Sequence, residues 1–154
     1  INLMRNLLKI IFFASTFFLI TNTSSVYSET IKEKCKRIGK EYSWDNCGDK
    51  LRKDGDLWGA TAAYGKSIME GQNTRLSYPY FYLGFIKNKL GDQEGAIEDY
   101  TKALSIDPYD GISYNNRGTI YQRMRKIKLA CDDYLQGKYN GIDTSFSNYS
   151  KFCE

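Results

Sequence analysis

The sequence predicts an all-α protein: a right-handed solenoid of three stacked helix-turn-helix units, finished by a C-terminal capping segment. Three observations lead there. Only 2 Pro interrupt 154 residues, which leaves helices free to run. Aromatic residues make up 15% of the chain, 13 of them Tyr and 2 Trp, so bulky groups are available to pack between helices. The same residue types then recur every 34 positions, and a period between about 20 and 50 residues signals a repeat architecture. With 26% charged residues, 42% hydrophobic residues and a mean hydropathy of -0.53, the composition fits one soluble domain rather than a fibre, a disordered tail or a polytopic membrane protein.

Composition also excludes functions. The chain has 0 His, which removes Ser-His-Asp and Cys-His catalysis, the H-E-x-x-H and deaminase zinc centres, and any side chain that titrates unperturbed near neutrality. No cofactor or metal site is expected.

Residues 1–28 read as a signal peptide. Arg5 and Lys9 are the only charges before Glu29, and Ile10 to Ile20 form an apolar run broken only by Ser15 and Thr16. A polar stretch, Thr21 to Ser25, leads to Val26, Tyr27 and Ser28, which suits cleavage between Ser28 and Glu29. The alternative is a retained membrane anchor, but a span needs roughly 20 apolar residues and this run is shorter. Cleavage places the mature protein in the periplasm or outside the cell, off the membrane. It also removes two of 22 basic residues, leaving 20 against 18 acidic ones. That balance shows no concentrated basic face; the run Arg123, Arg125, Lys126 and Lys128 reads as a solvated turn, and nucleic acid is not an expected partner.

Residues 29–40 form an N-terminal extension that carries the first of 4 Cys. In an exported chain these can form disulfides. Cys35 and Cys47 are too far apart to bond along one straight helix, so their pairing requires a chain reversal, for which Gly39 is the candidate. Cys131 and Cys153 are paired in the same way if Gly137 and Gly141 turn the chain back. The expected bonds are therefore Cys35–Cys47 and Cys131–Cys153. No C-x-x-C pair supports a thioredoxin-like redox site or a two-pair zinc site.

Residues 41–144 hold the repeats, in units of about 41–76, 77–110 and 111–144. Tyr80, Leu83, Gly84, Gly91, Ala96, Tyr100, Ala103 and Pro108 align with Tyr114, Arg117, Gly118, Arg125, Ala130, Tyr134, Gly137 and Ile142, always 34 apart. Trp44, Cys47, Gly48, Gly55, Ala60, Tyr64 and Ser67 form an earlier copy at an offset of 36, which puts two extra residues in the connection Gly71 to Leu76. An aromatic and a small residue four later put a large and a small group on one helical face.

In the first unit Trp44 to Lys53 pairs with Asp56 to Met69. In the second, Pro79 suits a first helical turn, Gly91 ends that helix and Asp92 caps the next, which Asp107-Pro108 stops. In the third, Gly111 to Met124 pairs with Lys128 to Tyr139. Residues 145–154, with Phe146, Tyr149 and Phe152 at helical spacing, are expected to cover the open end as a cap held by Cys131–Cys153.

The middle unit, Y-F-Y-L-G followed by L-G-D and A-I-E-D-Y-T-K-A-L-S-I-D-P, resembles the tetratricopeptide repeat, a 34-residue helix-turn-helix unit. The resemblance covers about two thirds of the chain. Lys87 stands where that family usually has an aromatic, Arg125 replaces the turn Gly, and the third unit lacks its Pro.

The resemblance implies a concave groove, lined by the first helices, that binds a peptide segment of a partner protein as a scaffold or adaptor. Asn at groove positions often holds a peptide backbone in this family, since an amide donates and accepts at once. The expected contacts are Asn115, Asn116, Phe81, Phe85, Arg123 and Asn46. The groove lacks the Lys cluster with which cytosolic family members clamp a chaperone's terminal carboxylates. Short solenoids also leave a homodimer open. Two rivals remain. One is a carboxylate-based cell-wall-active enzyme using Asp132-Asp133 or Glu98-Asp99, although these pairs are expected on a solvated outer face. The other is a membrane-anchored structural adaptor working through its convex face.

Overall fold

The computed structural model describes residues 31–38, 43–71 and 76–153. The expected signal peptide with its cleavage point, the reversal at Gly39 and the lengthened connection after Gly71 lie outside the described residues. The chain divides into two units, Ile1–Tyr42 and Ser43–Glu154. In the first, helix α1 covers 31–36 and buries Ile31 and Cys35, one helical turn apart.

The second unit contains α2 (Trp44–Lys53), α3 (Leu57–Glu70), α4 (Ser77–Lys89), α5 (Gln93–Ile106), α6 (Gly111–Arg123), α7 (Ile127–Tyr139) and α8 (Asp143–Phe152). No strand occurs among the described residues. Helices α2–α3, α4–α5 and α6–α7 are hairpins that stack in chain order into the right-handed solenoid, and α8 packs on α7 at its end.

One turn closes all three hairpins and the α7–α8 connection. In the first, the N–H groups of Asp54, Gly55 and Asp56 donate to the carbonyls of Lys50, Arg52 and Leu51. The set recurs at Leu90–Asp92, Met124–Lys126 and Asn140–Ile142. Its middle residue needs positive φ, which is 84° at Gly55, 88° at Gly91 and 78° at Gly141, where glycine meets no Cβ penalty. Arg125 occupies the same place at φ 60°, so the third hairpin keeps the turn without its glycine. The three hydrogen bonds outweigh a left-handed cost of roughly 1–2 kcal/mol. The cap is missing there too. Asp56 and Asp92 accept the N–H of Gly59 and Gly95 at 2.9 Å, whereas Lys126 in the corresponding position makes no side-chain cap.

The alternation of large and small residues is a single contact seen from both sides. Tyr64, Tyr100 and Tyr134 of the second helices are fully buried. Each lies across the glycine of its own first helix: a Cβ at Gly48 would come within 2.7 Å of Tyr64 Cε1, and one at Gly84 within 3.1 Å of Tyr100 Cδ1. Close-packed interiors leave no slack for such a methyl group. Ala96 and Tyr100 then join Ile120 of the next hairpin in a core that Phe81, Ile97 and Met124 flank.

Three expectations change. Asp99 and Asp133 do not face solvent: they are 3% and 4% exposed. Each points back to the first helix of its own hairpin, where Lys87 Nζ lies 2.8 Å from Asp99 Oδ2 and Arg117 grips Asp133 through Nε and Nη2 at 2.9 and 2.7 Å. Lys87, which departs from the repeat pattern, and Arg117 are therefore the partners of buried carboxylates. The cap does not turn its aromatic stripe inward. Ser145 is the buried residue of α8, while Phe146 is 53% exposed with Lys138 Nζ 4.8 Å from its ring centroid. Finally, Gly137 does not bend the chain, which Gly141 does alone. A Cβ on Gly137 would collide with Ser145, so the residue lets α8 approach α7, and only a small side chain fits at that crossing.

Cys131 and Cys153 are bonded with Cα atoms 5.6 Å apart, which ties the end of α8 to α7. The Cys35–Cys47 pairing would join the two units and stays a proposal.

Candidate functional site

The first helices α2, α4, α6 and α8 follow one another along one side of the stack, and side chains bridge every step. From α4 to α2, the Tyr78 hydroxyl donates to Asp49 Oδ2 at 2.5 Å, and Arg52 Cζ sits 4.5 Å over the Tyr82 ring. From α6 to α4, Arg123 Nη2 donates to Asn88 Oδ1 at 2.5 Å. From α8 to α6, Ser145 Oγ and Asn148 Nδ2 donate to Asn115 Oδ1 at 3.1 and 3.3 Å. These bridges fix the register of the stack and decide which polar groups are left for a ligand.

The α4 face is aromatic. Tyr82 stacks on Tyr64 at 5.4 Å with planes 7° apart, and meets Tyr78 and Phe81 edge-on at 4.7 and 4.9 Å. Offset and edge-to-face pairs of this kind favour a rigid wall. Asp49 also accepts the Tyr64 hydroxyl at 2.6 Å. Burial first, and then the bond to Asp49, push the Tyr64 and Tyr78 hydroxyls well above the usual phenol range, so both remain donors. Burial raises Tyr100 as well. Among the described residues its buried hydroxyl has no hydrogen-bond partner, and the Asn116 side chain offsets part of the upward push of burial.

Phe81, Tyr78 and Tyr82 form one wall of a cleft of about 280 Å³ that Asp107, Asp110 and Ile112 complete from the α5–α6 connection and the start of α6. The sequence places these groups locally. Asp107 precedes Pro108, ends α5 and accepts the N–H of Tyr109 through Oδ1 at 3.1 Å. Asp110 caps α6, its Oδ1 accepting from the N–H of Ile112 and of Ser113 at 3.1 Å each.

The expected contact residues separate into two groups. Phe81 and Asn116 come together around Tyr100: the Phe81 ring lies 5.9 Å from it, and both are half-buried. Phe85, one turn along α4, is half-buried with Lys89 Nζ 5.1 Å from its ring. Phe81 thus packs against the core and lines the cleft at once. Asn115 and Arg123 already hold neighbouring helices, and Asn46 stands exposed in the first turn of α2, its N–H given to Ser43 Oγ. Sequence reasoning missed the cleft residues Asp107, Asp110 and Ile112. Asp107 was visible there only as a helix stop, and the cleft exists because that stop lies beside the next unit's first turn.

Among the described residues no group of His, Cys, Asp or Glu could hold a metal ion, and no helix is long and apolar enough to cross a membrane.

Residues 84–124 match the model of the TPR repeat. This chain is 31% identical over 78 residues to the Saccharomyces cerevisiae "Essential for maintenance of the cell wall protein 1", a match spanning 47% of this chain and only 8% of that protein. Among solved structures, the first TPR of Spaghetti (RPAP3) bound to the HSP90 peptide SRMEEVD is similar with TM-score 0.63, 17% identity and coverage of 71% of this chain and 86% of that one. The second TPR domain of human RPAP3, in complex with the HSP70 peptide SGPTIEEVD, gives 0.63 at 20% identity, covering 73% and 93%. The Arabidopsis OM64 TPR domain gives 0.61 at 22% identity, covering 82% and 94%.

Proposed function

We propose that this chain, which contains tetratricopeptide repeats, is an exported, non-catalytic interaction module whose groove binds a peptide segment of a partner protein, as a scaffold or adaptor. One observation carries the reading. The first helices present the half-buried rings of Phe81 and Phe85 and the Asn116 amide, none of which takes part in the bridges between those helices. Buried but reachable rings supply contact area at low conformational cost, and an amide can hold a backbone from both sides. Two similar structures hold peptides in TPR domains of the same architecture.

The rival enzyme needs free carboxylates. Asp99 and Asp133 are consumed by Lys87 and Arg117, and their neighbours Glu98 and Asp132 are exposed without a second acid of matched environment. Export is supported by the apolar leader and by the Cys131–Cys153 bond, which suits an oxidising compartment. Non-reducing peptide mapping of protein from the envelope fraction checks both: a processed start at Glu29 and linked Cys35–Cys47 and Cys131–Cys153 peptides are expected.

The test of the groove is affinity capture from that fraction with the native chain and with Phe85→Ala/Asn116→Ala. Loss of the co-eluting protein in the variant supports the groove. Unchanged capture shifts the contact to the convex face or the cap and refutes it.

A further inference from the structure

Resting on the peptide-groove reading, we infer that the cleft at the α4–α6 step is a specificity pocket for a basic side chain, Lys or Arg, of the bound segment. The pocket combines two features that a cation needs and an acidic residue does not tolerate. Its walls include the rings of Tyr78, Phe81 and Tyr82, and its rim carries two carboxylates, Asp107 and Asp110, with no Lys or Arg among the lining residues. Ring faces attract ammonium and guanidinium groups, most strongly where water is partly excluded.

The carboxylates are positioned but not used up. Asp107 accepts the Tyr109 N–H through one oxygen, and its second has no hydrogen-bond partner among the described residues. Asp110 is engaged by the backbone of α6 and by Ser113 Oγ, so it is held in place as a fixed negative charge. The cations of the same face already have partners: Arg52 holds Asp49 and lies over the Tyr82 ring, Lys89 lies over the Phe85 ring, and Arg123 donates to Asn88, so an incoming cation relies on Tyr78, Phe81 and the two carboxylates. A basic side chain laid along α4 therefore finds aromatic surface for its methylene stem and carboxylates for its head. A Glu or Asp would bring a third negative charge against two fixed ones, a repulsive element of the kind that sets specificity.

The volume agrees with the assignment. At about 280 Å³ the cleft accommodates a single long side chain and not a folded element. The walls come from α4, and the rim from the α5–α6 connection and α6, so the pocket is a product of the stack and no hairpin alone contains it.

Fluorescence anisotropy with the purified full-length chain tests the inference, using labelled nine-residue peptide pools, randomised except at a central position fixed as Lys, Arg, Glu or norleucine. Lys and Arg pools are expected to bind at least about fivefold tighter than the Glu pool, with a preference that weakens as salt rises. Asp107→Asn/Asp110→Asn, which retains turn and cap because Asn serves both roles, is expected to reduce the Lys-over-norleucine preference to less than about twofold while norleucine affinity holds. Thermal melting of the variant verifies that it is folded. A Glu pool that binds as well as Lys, or a Lys preference that survives in the variant, overturns the pocket but leaves the groove standing. Failure of every pool to bind overturns the groove reading and the pocket with it.

Discussion

Replacing Arg117 with Leu, the residue that the middle unit carries at that position, removes one half of the most buried ion pair described in the chain. Arg117 and Asp133 side chains are 16% and 6% exposed, joined by two hydrogen bonds of 2.7 and 2.9 Å. Burial pushes the Asp133 carboxyl up, against the pull of Arg117. Without the guanidinium the carboxylate stays desolvated and uncompensated, and breaking a buried pair in this way costs about 3–5 kcal/mol. The first unit shows the way out, since it holds Cys47 and Ala63 at the two equivalent positions and buries no charge there. Arg117→Leu/Asp133→Ala should therefore recover most of the loss, to within about 1–2 kcal/mol of the native chain, because apolar replacements of a buried pair are often near neutral. Urea unfolding of the native chain, both single variants and the double variant closes the cycle. The Arg117→Leu deficit should also shrink as pH falls, since protonation removes the unpaired charge. A single-variant cost below about 1 kcal/mol, or a double variant no better than Arg117→Leu, would refute the assignment of a buried, mutually dependent pair.

Arg125→Gly should stabilise the protein by about 0.5–1 kcal/mol, since relief of a left-handed residue exceeds the entropy glycine adds to the unfolded chain; a lowered melting temperature would contradict the turn geometry. Stability should fall above about pH 10, because unfolded Tyr loses its proton near there while Tyr64, Tyr78 and Tyr100 keep theirs in the fold. The sign follows from proton binding: the native state then holds more protons than the unfolded one, so each such Tyr removes up to about 1.4 kcal/mol per pH unit, measurable as melting temperature against pH. Cys131→Ser should cost about 3 kcal/mol through the loop it opens and should loosen α8 first, read as faster amide exchange in α8 than in α4; equal exchange in the two would show that the bond does not hold the cap.

The repeat period and the turn residues carried nearly the whole fold. Gly55, Gly91 and Gly141 mark three of the four equivalent turns, and Asp92 caps α5 as its position implied. The buried carboxylates were hidden for a definite reason. Asp99 and Asp133 are one period apart, but their cations sit one helical turn apart in the repeat frame, at Lys87 and Arg117, so aligning equivalent positions does not pair them. Helical position places Phe81 and Asn116 on the first helices, and the structure sets both half-buried beside Tyr100. The engagement of Asn115 is not legible in its own unit, because Ser145 and Asn148, which donate to it, belong to α8. The cleft beside Phe81 needs the α5–α6 connection folded onto α4, a juxtaposition that no single unit of the sequence contains.

Site-specific photocrosslinking in the cells of origin tests the groove most directly. A benzophenone side chain placed at Phe81, Phe85 or Asn116 on the first helices is compared with one at Glu98, Lys102 or Asp132 on the second helices, all six positions being half-buried or exposed. Ultraviolet irradiation should yield a discrete protein adduct from the first three positions and none from the last three. Adducts arising only from Glu98, Lys102 or Asp132 would place the partner on the outer face and contradict a peptide-binding groove.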